Sequence, residues 1–250
     1  MSDNDFFIGW SDEMPDADKR SFLRTSVLLG GGALVGAGVL ASVQKPVGSG
    51  TWNQGDIRTF TGIATSEPYA MLRTMDIDGT PQTALLACLG KCGVTARIGS
   101  YAGKPVSVRG TLIQRGRHTM IAVVDDIDWI TAADIPEPNS LAFGAAKALG
   151  ELTLTGTILD SKCWFGAMRP AEGKVHKSCA ALCIRGGIPP ALFVKDRTGR
   201  SKLLIMSDQN GRYGDEILPL VAEPVQVSGA LLQRDELLFL DAEISAISRV

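Results

Sequence analysis

Histidine is scarce in this 250-residue sequence, which has only His118 and His176, and aromatic residues make up 6% of the chain. There is no CxxCH motif for covalent haem attachment and no HExxH pair for a metalloprotease zinc ion. A glycine-rich nucleotide-binding fingerprint and the nucleophile elbow of a hydrolase are also missing. These absences exclude c-type haem proteins and give no support to the common motif-bearing enzyme classes.

An excess of charge of one sign is lacking as well, because 25 basic and 27 acidic residues leave a formal net charge of −2. A nucleic-acid partner would require a basic face that neutralises phosphates. We therefore expect no nucleic-acid partner. Without a recognisable catalytic constellation, we also expect a non-enzymatic protein.

Cysteine occurs five times and is unevenly placed. Cys88 and Cys92 form the short pattern CLGKC, whereas Cys163, Cys179 and Cys183 fall within one stretch. In an oxidising compartment an odd number leaves at least one cysteine free, intermolecular or metal-bound. For Cys88 and Cys92 we expect a local disulfide that closes a turn; the alternatives are a contribution to a metal site and a buried pair of free thiols.

The longest hydrophobic run lies near the N-terminus, where the residues from Thr25 to Val43 are all uncharged. A run of this length can span a bilayer, so residues 25–44 are predicted to form a transmembrane or signal helix. Basic residues before it place residues 1–24 in the cytoplasm as a tail. We expect a single pass of the bacterial inner membrane with the bulk of the chain in the periplasm. The alternative is a soluble periplasmic protein after signal cleavage.

The segment before this run resembles a twin-arginine export signal, whose pattern is matched by Lys19, Arg20, Phe22, Leu23 and Arg24. Lys19 stands where that signal has its first arginine. The resemblance implies export of a folded protein, often with a cofactor already inserted. The layout is also similar to the anchor of Rieske iron–sulfur subunits, which implies an accessory subunit of a membrane complex such as a respiratory one. The paired Cys and His motifs of the Rieske cluster itself are absent.

The rest of the chain contains an internal repeat. Lys104–Arg115, KPVSVRGTLIQR, matches Glu223–Arg234, EPVQVSGALLQR, and an apolar strand pattern follows each copy. Each copy has about five short stretches of alternating apolar residues, separated by Gly, Pro and Asp turns. Such strands in a small unit predict a closed barrel, which leaves no exposed edge. The predicted fold class is therefore mainly all-β, with two tandem small OB-like β-barrels.

The two copies differ in one place. Gly156 lies 94 residues after Gly62, whereas Asp196 lies 118 residues after Asp78, so the second copy carries about 24 extra residues between its first two strands. The first copy makes a barrel without this insertion, so we expect the insertion to carry function.

The predicted domain plan after the membrane segment has four parts. They are a linker over 45–57, a first barrel over 58–132, a second linker over 133–150 with a short helix at Leu141–Leu149, and a second barrel over 151–250 with the Cys/His loop at 160–190.

The extra residues contain the candidate site. Lys174–Ile184 is predicted to be a short helix, and His176, Cys179 and Cys183 then share one helix face. Cys163 follows the preceding strand, so these four side chains are predicted to form a Cys3His metal site. Zinc is the simplest occupant, and copper or iron also use these donors. Two alternatives stay open: a disulfide from Cys163 to Cys179 or Cys183, and a reactive low-pKa thiol.

The sequences GTILDSKCW and HKSCAALCIRGGIPPALFV resemble a group of exported bacterial proteins with the pattern D-S-x-C followed by HxxCAxxC. The match covers Leu152 to about Ile247. It implies that the loop is one unit on an OB-like barrel, and it includes Asp160, which either orients a ligand or caps the turn. It implies no particular activity. Outside the pattern, Met168 is interpreted as core packing or a soft copper ligand, and His118 as solvent-exposed.

These patterns together predict a membrane-anchored periplasmic accessory protein with a metal-binding loop, whose partners are the inner membrane and a membrane protein complex. The alternative is a disulfide-stapled binding or structural module without metal. A thiol-redox protein that uses a low-pKa cysteine is the third interpretation.

Overall fold

The computed structural model of the chain describes residues 14–27, 49–76, 78–208 and 211–250. Residues 16–27 are helical. Residues 28–44 of the predicted transmembrane segment 25–44 lie outside the described residues, and so do residues 1–13 of the predicted tail. Within the ranges described, no helix has both the length and the hydropathy needed to cross a bilayer. The chain divides into one unit over Met1–Pro46 and a second over Val47–Val250, and the second unit holds both copies of the repeat.

The first copy of the repeat folds into six strands: β1 (Thr51–Thr65), β2 (Met71–Met75), β3 (Pro81–Cys88), β4 (Pro105–Arg115), β5 (His118–Val123) and β6 (Ile130–Ala132). The strands pair in the order β1-β2-β3-β5-β4, and β4 pairs with β1 to close a barrel. The pairing of β3 with β5 is parallel, and the other barrel pairings are antiparallel. β6 extends the sheet from β4.

The second copy repeats this arrangement with β7 (Lys147–Asp160), β8 (Pro190–Lys195), β9 (Ser201–Ser207), β10 (Pro224–Arg234), β11 (Leu237–Asp241) and β12 (Ile247–Arg249). The order is β7-β8-β9-β11-β10, closed by β10 on β7, with β9 and β11 parallel. Corresponding strands thus have the same neighbours and directions. This confirms the predicted fold class of two tandem OB-like barrels, with the short helical insertion between the first two strands of the second.

Alternating side chains fill each barrel. In β4, Val106 and Val108 are buried while Ser107 between them is partly exposed, and Val225 and Val227 of β10 are buried at the matching positions. Successive side chains of a strand point to opposite faces, so this alternation follows directly from the sequence pattern. Each barrel has its own buried hydrophobic cluster.

A third buried cluster joins the two barrels. Leu85 of the first barrel and Phe239 of the second belong to it, and the insertion adds Trp164 and Phe165. The first copy closes its barrel without an insertion, so the insertion is not needed for barrel closure. It does supply aromatic side chains to the core between the two barrels. No local sequence pattern indicates this structural role.

Polar contacts also connect the barrels. The Tyr69 hydroxyl, buried in the first barrel, donates a hydrogen bond of 2.7 Å to the Met206 carbonyl of the second. Arg73 of β2 forms an ion pair of 2.6 Å with Glu236, in the turn between β10 and β11. Both interactions are largely shielded from water, which favours a fixed arrangement of the two barrels.

Among the described residues of the second unit, the α-helices are short: α1 (Thr95–Ile98) and α2 (Lys177–Arg185). The predicted helix Leu141–Leu149 does not form, because β7 begins at Lys147 and pairs there with the far end of β10. Likewise, β1 begins at Thr51, inside the predicted linker 45–57, because its first residues pair with the end of β4. In both places tertiary pairing outweighs a local sequence preference.

Candidate metal and thiol site

The insertion begins with a tight turn at the end of β7. The Asp160 carboxylate accepts a hydrogen bond of 2.8 Å from the Cys163 backbone N–H, so Asp160 caps the turn that presents this cysteine. The turn continues as a π-type turn over Cys163–Ala167. It buries Trp164 and Phe165 against the core between the barrels, which fixes the position of the Cys163 side chain.

The predicted helix is present and carries the other thiols. A 3-10 turn over Lys174–His176 leads into α2, which holds Cys179 and Cys183. The Sγ atoms of Cys163, Cys179 and Cys183 all lie within 4.8 Å of one another, and none of the three is in a disulfide. Cys163 and Cys183 are buried, whereas Cys179 is partly exposed. The structure therefore brings the three predicted cysteine ligands into one cluster.

His176 belongs to a second, overlapping group. Its ring and the Asp160 carboxylate lie within 4.8 Å of the Cys163 thiol, and both residues are buried. His176 Nε2 is 3.1 Å from Asp160 Oδ2; because a carboxylate only accepts hydrogen bonds, Nε2 is the donor. The histidine thus neighbours Cys163 and is not within the same distance of all three thiols. Asp160 both caps the turn and orients the ring.

Two lysines that the sequence analysis did not single out lie at this site. Lys162 is 2% exposed, and its ammonium donates hydrogen bonds to the carbonyls of Cys88, Leu89 and Gly90 at 2.6–2.8 Å. Burial lowers the pKa of Lys162 to about 8. Its three donors are all used, so it clamps the CLGKC loop of the first barrel onto the insertion of the second.

The second lysine, Lys91, comes from that loop. Its Nζ lies 2.6 Å from the Cys179 Sγ, and this hydrogen bond raises the pKa of Lys91. Cys88 and Cys92 form the predicted local disulfide around it. The first barrel therefore contributes to a site that the sequence placed entirely in the second. Nothing in the local sequence signals this contact, because it joins residues of different barrels.

A hydrogen bond couples the two buried thiols, Cys163 and Cys183. The hydrogen bond from the Cys163 thiol lowers the pKa of Cys183, and the positive charges of Lys91 and Lys162 add to this effect. The same hydrogen bond, together with burial, raises the pKa of Cys163. Cys183 is thus the first of the two to become a thiolate. Thiolate is the form in which cysteine binds metals and reacts.

Two minor sequence interpretations need correction. Met168 is 42% exposed, so core packing is wrong for it, while its alternative as a soft copper ligand stays a prediction. His118 is not a free surface residue, since its ring lies 5.3 Å from both the Trp164 and Phe165 rings. The interpretation failed because it treated the turn before His118 in isolation, while the insertion of the other barrel covers it. Burial lowers the pKa of His118 to about 4.

This burial predicts an acid-sensitive stability. The unfolded chain takes up the His118 proton near pH 6.5, but the folded chain does so only near pH 4. Stability is therefore retained above about pH 6.5 and lost as the pH falls towards 4, by about 2 kcal/mol after allowance for partial exposure. Urea unfolding at pH 7, 5.5 and 4 measures the loss. His118→Phe keeps an aromatic ring that does not titrate, so its unfolding free energy should fall by about 2 kcal/mol less over this pH range. Equal losses in the two proteins would show that His118 is not the source of the acid sensitivity.

No protein-family model matches the chain, and no curated protein matches its sequence. A solved structure, that of a deletion mutant of the single-stranded DNA binding protein from Thermus aquaticus, aligns over 81% of this chain and 87% of its own, at 13% identity and a TM-score of 0.24. The strand order of the chain itself defines the two OB-like barrels, and the positions of its own sulfur atoms define the thiol cluster.

Proposed function

We propose that this protein binds one metal ion, most simply zinc, through Cys163, Cys179, Cys183 and His176. The observation that carries the proposal is the cluster of three free thiols within 4.8 Å of one another. Copper and iron are alternative occupants of the same donors.

The cluster has dimensions suited to one ion. Zinc–sulfur bonds of about 2.3 Å in a tetrahedron place neighbouring sulfurs about 3.8 Å apart, so small side-chain rotations are enough to close the three thiolates on a metal. The charge balance also supports binding, since Lys91 and Lys162 are close enough to Cys183 to lower its pKa. Their positive charges would offset the negative charge of a three-thiolate site.

The support for His176 as the fourth ligand is its setting. It lies beside Cys163 and donates from Nε2 to Asp160. Histidines that bind metals usually donate their other ring N–H to a carboxylate or carbonyl, which fixes the ring and its tautomer. With Nε2 as the donor, Nδ1 is the nitrogen left to bind a metal.

Metal analysis of the full-length protein, purified without an affinity tag under reducing conditions, tests the proposal. We expect one ion per chain in the wild type and at least a tenfold loss of affinity in Cys179→Ser, because one of the thiolate ligands is removed. Cys179 is suited to this test because it is only partly buried. Ser178→Ala, its exposed neighbour, is the matched control and should keep the metal. A metal-free wild type with an oxidised Cys163 would favour the disulfide-stapled module instead.

We also propose that residues 25–44 anchor the chain in the bacterial inner membrane, with the barrels in the periplasm as part of an accessory subunit of a membrane complex. The support is the uncharged run from Thr25 to Val43 with basic residues before it. A second support is the Cys88–Cys92 disulfide, since disulfides persist mainly in oxidising compartments. If the anchor is retained, the chain stays in the membrane pellet after alkaline carbonate extraction.

A further inference from the structure

The contact between Lys91 and Cys179 is unusually close for a hydrogen bond. Their Nζ and Sγ atoms are 2.6 Å apart. Ordinary N–H···O hydrogen bonds are about 2.7–3.2 Å long, and a sulfur acceptor should lengthen the bond because sulfur is larger than oxygen. The separation instead matches that of an N–O–S linkage, in which the nitrogen and the sulfur are each joined by a single bond to the same oxygen atom.

The lysine is held in this position by its own loop. The Cys88–Cys92 disulfide closes the loop around Lys91, and Lys162 holds its backbone carbonyls. On the far side of the loop, the Gly93 backbone N–H donates a hydrogen bond of 2.8 Å to the Gly186 carbonyl, at the end of α2. A pre-organised pair loses little entropy when it is linked covalently.

The partner thiol is also the one that an oxidant meets first. Cys179 is partly exposed, while Cys163 and Cys183 are buried. Susceptibility of a thiol to oxidation rises with its exposure, so we expect Cys179 to react before the two buried thiols.

We propose that Lys91 and Cys179 are a modification site, at which a peroxide converts the pair to a covalent N–O–S bridge. One peroxide oxidises the Cys179 thiol to a sulfenic acid and is reduced to water. A second peroxide accepts the next two electrons: the sulfenic oxygen forms a bond to Nζ, the O–H and one N–H bond break, and two waters leave. Four electrons pass from the pair to the two peroxide O–O bonds, and the proton of the lysine ammonium goes to solvent.

The bridge goes beyond the proposed metal site and does not depend on it. It joins the two barrels covalently, because Lys91 and Cys179 belong to different copies of the repeat. It also takes Cys179 out of the thiol cluster and leaves Cys163 and Cys183 as the remaining free thiols. Oxidation would thereby remove a thiolate from the metal-binding set.

Mass spectrometry of the full-length protein tests the proposal. The protein is freed of metal with a chelator, treated with hydrogen peroxide and digested without reductant. In the wild type we expect a species about 14 Da heavier, since one oxygen is gained and two hydrogens are lost. It should yield a cross-linked peptide pair containing Lys91 and Cys179, and dithiothreitol should abolish it.

Two variants are the controls. Lys91→Arg keeps the positive charge, and Cys179→Ser keeps the size of the side chain. Neither variant should give the cross-linked peptide, and both should have the far-UV circular dichroism spectrum of the wild type. The same heavier species in Lys91→Arg would overturn the proposal. So would wild-type protein in which Cys179 becomes a disulfide, a sulfinic acid or a direct S–N linkage. Because the protein is free of metal, this result is independent of the metal analysis.

Discussion

Replacing Asp160 with alanine should lower the free energy of unfolding by about 3–5 kcal/mol. The carboxylate is fully buried, and it accepts the backbone N–H of Cys163 and the Nε2–H of His176. Alanine leaves both donors buried without a partner, and the turn that presents Cys163 loses its cap. Urea unfolding at pH 7, with the metal content of each preparation matched, measures the change.

Two controls separate the buried network from a general loss of charge. Asp160→Asn keeps an acceptor for Cys163 and should lose less than half as much stability. Asp215→Ala removes an exposed carboxylate, 72% accessible, from its pair with Arg185, and should change stability by less than about 0.5 kcal/mol. If Asp160→Ala were as mild as Asp215→Ala, the Asp160 network would not hold the insertion in place.

Replacing Phe165 with alanine should cost about 3–5 kcal/mol, although this residue lies in the insertion and in neither barrel. Its ring is fully buried between the barrels and lies 6.0 Å from the Trp164 ring. Removing it opens a cavity in the core that joins the two barrels. Chemical denaturation of the purified variant measures this loss.

The matched control for this variant lies in the same insertion. Val175 is 85% exposed, so Val175→Ala should leave the unfolding free energy within about 0.5 kcal/mol of the wild type. If Phe165→Ala changed stability by less than 1 kcal/mol, the insertion would be a loop on the surface of a self-sufficient pair of barrels. A loss of the predicted size would show that the insertion is part of the core. Deleting the whole insertion would then destabilise the fold and remove the thiol cluster at the same time.

Much of the candidate site was predictable from the sequence because its signals are local. Helical spacing over Lys174–Ile184 placed Cys179 and Cys183 on one face, and the structure has them on α2 with their thiols close to Cys163. The pattern CLGKC indicated a local disulfide, which is present between Cys88 and Cys92. Each of these inferences joins residues that are near in sequence, so chain geometry alone limits where they can lie.

The residues that the sequence analysis missed act across the boundary between the barrels. Lys91 reaches a thiol 88 positions away, and Lys162 clamps carbonyls more than 70 positions away. His118 was interpreted as exposed, yet the insertion of the other copy covers its ring. Periodicity describes one element at a time, and it does not specify which surfaces of two finished barrels meet.

The sequence by itself determined the duplicated all-β architecture, the place of the insertion and the identity of its thiols. Alternating apolar residues and turn residues constrain each strand locally, and the repeat shows that one pattern is used twice. Only the tertiary structure decided that the first barrel completes the site. The physical reason is that burial, hydrogen bonding and charge at the cluster arise where the two copies pack, and packing depends on the shape and polarity of both surfaces together.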